Sequence, residues 1–454
     1  MKTALVSSKE IADHRFRFEG NHYLNHYAYL SLQIERRKDK CAKLEDVATC
    51  FNPPVFKRQF CQDTENAVQY FQSSDVPSLE EKSKVFIYKG QAESLKLLVH
   101  KNDILVTGFG TIGNTRLVSR HQDGVCYANN VCRIQATGMS AGLIYAFMSS
   151  KYGAAQLNSN ASGSVVRYIE APGIKRTLIP LFSDIFQKEV DDLIQESARL
   201  REEAVDALEE AKGLIMDFCQ EEYATTRLKR FVSVKIKGVR STLNTRFDPT
   251  IYINKGVQWV KSIQKQSTRL GDLNVKMWYP GIFKRAYVEN GLPYLKGSSV
   301  FDVNPFKTCD HLSKARTPKL DDLWLKEGML LITCAGACGL VKMITKEYED
   351  KGAIGSPDII RLVSNDTLFT TEYIFAYLQL PPIYDYMQSL KYGSVIERFD
   401  IENIKTIPIV RPTEELSQAV TDIVKSYMAK TYRAFNCEEQ AISMVEREIE
   451  SWNK

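Results

Sequence analysis

Two long stretches of the chain place apolar residues at alternating spacings of three and four, which is typical of an α-helix that buries one face. In residues 184–222 the repeating positions are Val190, Leu193, Ser197, Leu200, Ala204, Ala207, Ala211, Leu214 and Phe218. In residues 414–452 they are Met428, Thr431, Phe435, Glu438, Ile442, Val445, Ile449 and Trp452. Because small residues dominate the first series and large ones the second, we expect the two helices to pair. The alternative is two separate helices, each packed on its own domain.

The regions before the two helices mix short strands with helices. Runs such as DILVTG, RLVS and LLIT are short, apolar and bounded by glycine or asparagine, which is typical of strands and hairpins. The longer runs AGLIYAFMSSKYG and TEYIFAYLQLPPIYDYMQSLKYG indicate helices. The predicted fold class is α+β, with a domain over residues 1–183, a helix over 184–229, a second domain over 230–413 and a final helix over 414–454.

Segments of the first half of the chain recur in the second half, in order and at an almost constant offset. The pairs are RFEGNHYLN at 17–25 with RFDPTIYIN at 246–254, FNPPVFKRQF at 51–60 with WYPGIFKRAY at 278–287, ILVTGFGTIG at 104–113 with LLITCAGACG at 330–339, and GSVVRYIEAPGIKRTLIPL at 163–181 with GSVIERFDIENIKTIPIV at 393–410. The offset stays close to half the length of the chain throughout. An ordered series of this kind indicates a tandem duplication.

Charge is distributed unevenly along the chain. The net charge is +5, yet residues 184–222 carry thirteen acids and four bases, a net of −9, so the remainder carries +14. A cationic body favours a nucleic-acid partner, and an acidic helical segment favours a protein contact.

The sequence GFGTIG at residues 108–113 has the spacing of a nucleotide-binding glycine loop. Such a loop must open onto a helix whose N-terminus holds phosphate, but here a short β-branched segment follows. In the second copy Cys334 replaces the first glycine, while Gly336 and Gly339 remain. We therefore predict a hairpin whose glycines supply positive φ, rather than a pocket for a dinucleotide or S-adenosylmethionine (SAM).

Residues 52–55, NPPV, differ by one letter from the Asn-Pro-Pro-aromatic motif of DNA amino-methyltransferases. In those enzymes the aromatic residue stacks on a flipped base, whereas here the fourth residue is Val55 and the second copy reads YPGI. Both copies keep the Phe-Lys-Arg that follows. The retained basic residues, which are suited to phosphate or base contact, are Lys57, Arg58, Lys284 and Arg285.

Other catalytic or metal-binding motifs are not visible in the sequence. His22 and His26 have the spacing of a helical metal pair, but Ile251 and Lys255 replace them in the second copy and no third ligand lies nearby, so no metal site is predicted. The ten cysteines form no C-x-x-C pairs, and neither a signal sequence nor an apolar run of bilayer length is present. These features predict a reduced, cytoplasmic protein without catalytic machinery of its own.

Taken in order, these pieces resemble the specificity (S) subunits of type I restriction–modification systems over nearly the whole chain. The motifs that carry the resemblance are D-I-L-[IV]-x-x-x-G-x-x-G at residues 103–113 with a degenerate copy at 329–339, a Gly-Ser followed by an I-K-x-x-x-I-P segment, and a long helix after each copy. Their order and duplication are more specific than any one of them. The second turn lacks the family's usual Ser-Gly character, and the customary Glu-Gln after the proline is absent.

The resemblance implies two target-recognition domains, each reading one half of a bipartite DNA site, and two helices that pair as an antiparallel coiled coil. The helices would fix the gap between half-sites and bind two methyltransferase (M) subunits, and restriction/translocase (R) subunits can join the assembly. SAM, ATP and Mg would then be needed only in the partner subunits. The candidate DNA contacts in this chain are Lys57, Arg58, Thr111, Asn114, Arg116, Lys284, Arg285 and Lys342.

Two other classes of function stay open at this point. A SAM-dependent DNA adenine methyltransferase with divergent motifs would bind SAM as an isolated chain. A coiled-coil scaffold without DNA contact would show no salt-dependent DNA binding.

Overall fold

A computed structural model of the chain describes residues 7, 8, 11, 26–79, 82–163, 167–220, 223, 231–240, 245–297, 299–393 and 397–452. The chain divides into two compact units. Unit 1 comprises Met1–Glu202 with Arg433–Lys454, and unit 2 comprises Glu203–Tyr432. The segment RFEGNHYLN at 17–25, the first member of one predicted repeat pair, lies outside the described residues.

Unit 1 contains ten short strands and a set of helices among its described residues. The strands are β1 Cys41–Lys43, β2 Ala48–Phe51, β3 Phe60–Cys61, β4 Ala67–Phe71, β5 Phe86–Tyr88, β6 Ile104–Thr107, β7 Thr115–Leu117, β8 Cys126–Tyr127, β9 Val131–Ala136 and β10 Leu178–Pro180. The helices are α1 His26–Glu35, α2 Leu44–Val47, α3 Lys89–Ser94, α4 Ala141–Ser149, α5 Lys151–Asn160, α6 Ala171–Ile174 and the long α7 Asp184–Cys219, whose last residues belong to unit 2.

The main sheet of unit 1 has the strand order β2-β9-β6-β7 and is antiparallel throughout. Successive residues of β6 point to opposite faces, so Ile104 and Val106 join one buried cluster and Leu105 joins another. This two-sided burial explains why DILVTG is a continuous apolar run. Helices α4 and α5 begin at Ser140 and Ser150, whose side chains accept hydrogen bonds from the backbone N–H groups of the first turn.

A second sheet in unit 1 has the order β3-β5-β4-β8, with β4 and β8 parallel and the other pairs antiparallel. Strand β1 pairs with β10 and brings the end of the domain back to its beginning. The second sheet follows β2 directly through the segment at residues 52–59.

Unit 2 is built on the same plan. Its strands are β11 Ser267–Arg269, β12 Val275–Trp278, β13 Tyr287–Leu295, β14 Asp310–Leu312, β15 Leu330–Thr333, β16 Val341–Met343, β17 Ile354–Gly355, β18 Ile359–Ser364 and β19 Pro408–Val410. Its helices are α8 Ile236–Arg240, α9 Thr250–Ile253, α10 Lys255–Ile263, α11 Leu320–Leu323, α12 Lys346–Asp350, α13 Thr371–Leu378, α14 Pro381–Leu390, α15 Ile401–Lys405 and the long α16 Glu414–Ser451, whose last residues belong to unit 1.

The sheets confirm the tandem duplication. The main sheet of unit 2 has the order β12-β18-β15-β16, in which every strand stands where its sequence counterpart stands in β2-β9-β6-β7. Strand β11 pairs with β19 as β1 pairs with β10, and α10 packs on α14 as α1 packs on α5. The second sheets differ, because β14-β13-β17 replaces the four strands of unit 1.

The segment GFGTIG forms the predicted hairpin turn between β6 and β7, which pair antiparallel with Val106 opposite Thr115. Gly110 and Gly113 have φ of 75° and 87°, and Gly336 and Gly339 in unit 2 have φ of 71° and 81°. The first glycine serves close packing instead, since a Cβ on Gly108 would lie 2.3 Å from the carbonyl oxygen of Ile169. A strand follows the turn in both copies, so the geometry is not that of a phosphate-binding glycine loop.

The buried face of α7 agrees with the predicted series in its middle and departs from it at both ends. Val190, Ser197, Leu200, Ala204, Ala207 and Ala211 are buried as predicted. Leu193, Leu214 and Phe218 are not, because Ile194, Ile215 and Cys219 take the buried positions. Ile194 packs in a core cluster of unit 1, and Ile215 and Cys219 pack in a core cluster of unit 2, so packing against the cores, and not the heptad repeat, sets which side chains are buried toward the helix ends.

In α16 the buried members of the predicted series are Met428, Phe435, Glu438, Val445 and Ile449, whereas Thr431, Ile442 and Trp452 are half-buried. Within unit 1, the Ser197 hydroxyl donates to the carbonyl of Ala434 at 2.7 Å, and Arg201 forms an ion pair with Glu438. Within unit 2, Lys430 Nζ forms an ion pair with Glu203 Oε2 at 3.3 Å. These three contacts lie near the middle of both helices. Toward the helix ends, early residues of α7 share a core cluster of unit 1 with late residues of α16, and late residues of α7 share a core cluster of unit 2 with early residues of α16. No helix among the described residues is both long enough and apolar enough to cross a bilayer.

We expect Gly108→Ala to lower the free energy of unfolding by about 1–3 kcal/mol, because the new methyl group would lie against the backbone carbonyls of Ile169 and Asn130 rather than against a flexible side chain. Cys334→Ala at the equivalent position of unit 2 is the control. It should cost about 1 kcal/mol or less, since it removes only the hydrogen bond from Sγ to the Asp358 carbonyl. Urea unfolding of the full chain measures both, and a Gly108→Ala protein as stable as wild type would contradict the packing role.

Candidate nucleic-acid interface

Two equivalent loops carry the basic residues that both copies retain. Loop L1 (residues 52–59) joins β2 to β3, and loop L2 (residues 279–286) joins β12 to β13. Phe56 and Phe283 are half-buried against the second-sheet clusters of their own units and anchor the loops. The residue before each phenylalanine points into solvent, with Val55 90% and Ile282 92% exposed. An exposed aliphatic group next to basic residues can contact the methyl group of thymine.

The basic residues after each phenylalanine lie at the surface, as predicted. Lys57 and Arg58 in L1 are exposed, and so are Lys284 and Arg285 in L2. These cations are therefore accessible to an anionic partner in each unit separately.

The arginine of each loop is held by a buried tyrosine. The Arg58 Nε–H donates to the Tyr70 hydroxyl at 2.6 Å, and the Arg285 Nε–H donates to the Tyr294 hydroxyl at 2.7 Å. The guanidinium carbons lie 5.7 and 5.6 Å from the centres of the respective rings. Both copies thus fix the arginine through the same atom and the same kind of partner.

Each tyrosine lies in the second sheet of its unit and is 1% exposed. Tyr70 of β4 stands opposite Cys126 of β8 in a parallel pair, and Tyr294 of β13 stands opposite Ile354 of β17 in the matching parallel pair. Burial raises the pKa of Tyr70, an effect that Arg58 partly offsets, so the phenol is neutral at pH 7. The hydrogen bond to Tyr294 raises the pKa of Arg285, which keeps the guanidinium charged.

Loop L1 is braced at both ends by side-chain amides. Asn52 Nδ2 donates to the carbonyl of Asn129 at 3.2 Å, and Asn52 Oδ1 accepts from the backbone N–H of Ala171 at 2.7 Å. Gln91 Nε2 donates to the carbonyl of Lys57 at 2.9 Å, and Gln91 Oε1 accepts from the Gln59 N–H at 3.1 Å. The conformation of L1 is therefore set by the protein before any ligand binds.

The other candidates from the first hairpin have different surroundings. Thr111 is exposed at the turn and Asn114 is half-buried. The Thr107 hydroxyl stabilises this turn, because it donates to the Thr111 carbonyl at 2.5 Å and accepts from the Asn114 N–H at 3.1 Å. Contact of Thr111 and Asn114 with DNA stays a prediction.

Arg116 and Lys342 do not lie at the surface, and the prediction that placed them there is corrected. They are 5% and 6% exposed, and they occupy equivalent positions in β7 and β16. The Arg116 guanidinium donates to Gln122 Oε1 at 2.7 Å and to the carbonyls of Val76 and Ser78, and Lys342 Nζ donates to the carbonyl of Val300 at 2.8 Å. Both cations serve as internal donors to buried carbonyls.

A second pair of buried cations was not singled out from the sequence. Arg133 in β9 and Arg361 in β18 are both 0% exposed. Arg133 donates to the carbonyls of Leu97, Tyr127, Ala128 and Val131, and Arg361 donates to those of Gly355, Ser356 and Ile359. Burial lowers the pKa of each guanidinium to about 10, which still leaves it charged at pH 7.

The tyrosines of the Arg–Tyr pairs were also missed, and the sequence holds a signal for them. Tyr70 and Tyr294 are slightly closer together along the chain than the partners of the other repeat segments. The segments YFQSSDV at 70–76 and YLKGSSV at 294–300 nevertheless share tyrosine, serine and valine at matching places. With a small shift of register within the repeat, Tyr70 and Tyr294 therefore match in the sequence as well.

No group of three or more potential metal ligands occurs among the residues that the structure describes. His22 lies outside those residues, and of His26 only the backbone is described. The predicted absence of a metal pair at these two positions therefore stays a prediction.

Comparison with known proteins finds no matching family model and no matching curated protein. Among solved structures, the type I restriction–modification S subunit from M. genitalium is 13% identical with a TM-score of 0.36, covering 89% of this chain and 95% of that chain. The HsdS subunit from Thermoanaerobacter tengcongensis is 15% identical with a TM-score of 0.27, covering 90% and 95%. The type IIG restriction endonuclease BpuSI is 10% identical with a TM-score of 0.30, covering 41% and 30%. What the molecule does is therefore inferred from its own residues and contacts.

We expect Arg133→Met to lower the free energy of unfolding by more than about 3 kcal/mol, because several buried carbonyls lose a charged donor and each such bond contributes about 1.5–3 kcal/mol. Arg361→Met should behave alike in unit 2. Arg58→Met, at an exposed position, should change the free energy of unfolding by about 1 kcal/mol or less. Equal stability losses for Arg58→Met and Arg133→Met would contradict the division into surface and internal cations.

Proposed function

We propose that this chain is the DNA-reading specificity subunit of a type I restriction–modification complex, in which each unit reads one half of a bipartite site. The observation that carries the proposal is the recurrence, once in each unit, of an exposed Lys-Arg pair whose arginine is bonded to a buried tyrosine. Exposed, oriented guanidinium groups are the commonest means of direct readout in the major groove. The duplication of the fold supplies two such readers in one chain.

The long helices supply the second part of the proposal. Within each unit the early part of one helix shares a core cluster with the late part of the other, which supports the predicted antiparallel coiled coil, and the acidic stretch of α7 offers a surface suited to partner proteins. We assign that surface to two methyltransferase subunits, which would hold SAM, and to restriction subunits that would use ATP and Mg. This chain would then act in the cytoplasm without catalysing a reaction, with its functional divisions at residues 1–183, 184–229, 230–413 and 414–454.

The two other classes of function are less well supported. A methyltransferase needs a pocket for SAM, and the glycine segment that suggested one is a hairpin turn in both copies. A scaffold function without DNA contact would not explain why each unit carries the same cationic loop.

Exchanging residues 17–180 for the matching region of a related chain should change one half of the methylated DNA motif and leave the other half intact. The physical reason is that each unit has its own loop, its own tyrosine and its own core. The matched control is exchange of residues 246–408, which should change the other half. Modification-sensitive sequencing of the host genome measures the motif, and a change in both halves, or in neither, would contradict modular reading.

The double variant Lys57→Ala/Arg58→Ala, and likewise Lys284→Ala/Arg285→Ala, should weaken DNA binding and flatten its dependence on salt. The slope of log K against log salt is expected to fall by about 0.9 for each phosphate contact that is lost. Titrations of DNA binding between about 50 and 200 mM salt measure this slope. Lys38→Ala, a cation of the 3₁₀ turn before β1 with no place in either loop, is the control. An unchanged slope in both double variants would identify these residues as ordinary solvated cations.

A further inference from the structure

We propose that Arg58 and Arg285 are the residues that read guanine in the two half-sites, each presenting the outer edge of its guanidinium group to O6 and N7 in the major groove. This inference rests on the proposed DNA-reading function. It specifies the base that is read and the arginine that reads it in each unit, and it assigns Tyr70 and Tyr294 as the residues that position these arginines.

The hydrogen bonds leave the required donors uncommitted. A guanidinium group has five N–H donors in a rigid plane. One of them, on Nε, is bound to the tyrosine hydroxyl in each unit. Across the part of the chain that the structure describes, the Nη groups of Arg58 and Arg285 meet no acceptor. Two parallel N–H bonds from Nη groups are the geometry in which arginine binds O6 and N7 of guanine.

The tyrosine gives these arginines an orientation that a phosphate contact does not need. Phosphate attraction is mainly Coulombic, and a flexible lysine supplies it well. Lys57 and Lys284 stand beside the arginines and make no side-chain hydrogen bond to any described residue, so they suit that role. Base readout requires a defined direction, and fixing a long side chain before binding lowers the entropy cost of association.

Both copies form the same hydrogen bond between arginine and tyrosine, although the two residues are spaced differently along the chain. The spacing from arginine to tyrosine along the chain is longer in unit 1 than in unit 2, yet the two Nε–oxygen distances are nearly the same, at 2.6 and 2.7 Å. The strand that follows each loop also differs, with two residues in β3 and nine in β13. The Arg–Tyr pair has been kept while its surroundings changed, which is what a shared recognition function would produce.

The test uses the full chain, purified through a tag from its own cells with the subunits that accompany it, and a pool of randomised DNA duplexes. Bound duplexes are sequenced for wild type, Arg58→Lys, Arg285→Lys, Tyr70→Phe, Tyr294→Phe and Lys57→Ala. Lysine keeps the charge of arginine but lacks its planar pair of donors. Phenylalanine keeps the buried ring and removes only the hydroxyl.

We expect Arg58→Lys to relax the preference for guanine at one position of one half-site by about fivefold to 150-fold, with the salt slope unchanged. Arg285→Lys should do the same in the other half-site. Tyr70→Phe and Tyr294→Phe should relax the same positions by a smaller factor. Lys57→Ala should keep the motif and lower the salt slope by about 0.9.

A chemical substitution in the DNA sharpens the assignment. Replacing the identified guanine by 7-deazaguanine removes the N7 acceptor, so it should weaken binding of wild type and have little further effect on Arg58→Lys. Additive losses would show that Arg58 does not contact that base.

Different results overturn the proposed function and the reading of guanine by these arginines. A wild-type complex that enriches no motif and shows no salt-dependent binding overturns the proposed function itself. A wild-type complex that enriches a bipartite motif which Arg58→Lys and Arg285→Lys leave unaltered overturns guanine reading by these residues and leaves the proposed function standing. The melting temperatures of Arg58→Lys and Arg285→Lys, both at exposed positions, should stay close to that of wild type. A relaxed base preference then reflects a lost contact with DNA and not unfolding of the protein.

Discussion

The bonds from a buried arginine to a run of backbone carbonyls are the interaction on which each unit depends. Arg133 and Arg361 lie in β9 and β18, inside the main sheets, and donate to carbonyls of the segment just before their own strands. That segment contains β8 in unit 1 and β17 in unit 2, the short strands that pair in parallel with the tyrosine strands. The guanidinium therefore ties the main sheet to the second sheet and so fixes the tyrosine that holds the loop arginine. Burying a charge is costly unless its donors are satisfied, which is why these carbonyls converge on it.

The same residue type thus has two opposite roles in one domain. Arg133 and Arg116 are buried and donate hydrogen bonds to backbone carbonyls of the protein. Arg58 is exposed and donates its Nε–H to Tyr70, while its Nη groups meet no acceptor among the described residues. Only the second kind is accessible to the proposed DNA partner. A count of basic residues would not separate these roles, because separation depends on which strand face each side chain occupies.

The duplication combines a constant framework with a variable surface. The two main sheets share strand order and pairing, and the cations Arg116 and Lys342 fill the same place with different side chains. At the hairpin turns the surfaces diverge: Phe109 and Tyr168 stack in unit 1 with ring centres 5.5 Å apart, whereas Ala335 and Arg398 bridge at the matching positions of unit 2. A framework of this kind suits the proposed reading of two different half-sites, since contacts can vary without loss of the core.

The sequence by itself determined the features that repeat along the chain. The spacing of apolar residues over 184–222 and 414–452 predicted both long helices, which are observed at Asp184–Cys219 and Glu414–Ser451, and the ordered matches predicted the duplication that the sheets confirm. The β-branched segment after GFGTIG and the loss of one glycine in the second copy together identified a hairpin, and the retained Phe-Lys-Arg identified the loops.

Tertiary structure alone decided which cations are buried. Arg116 and Lys342 look like surface groups in the sequence, yet they bond to carbonyls 38 to 42 residues away. It also decided which side chains of α7 are buried toward the two ends of the helix, because there the helix packs against core clusters of the units. The hydrogen bonds of the Arg–Tyr pairs were decided in the same way, since a bond between a loop and a strand of the second sheet depends on how the two sheets meet, and the sequence records only the matching tyrosines at 70 and 294.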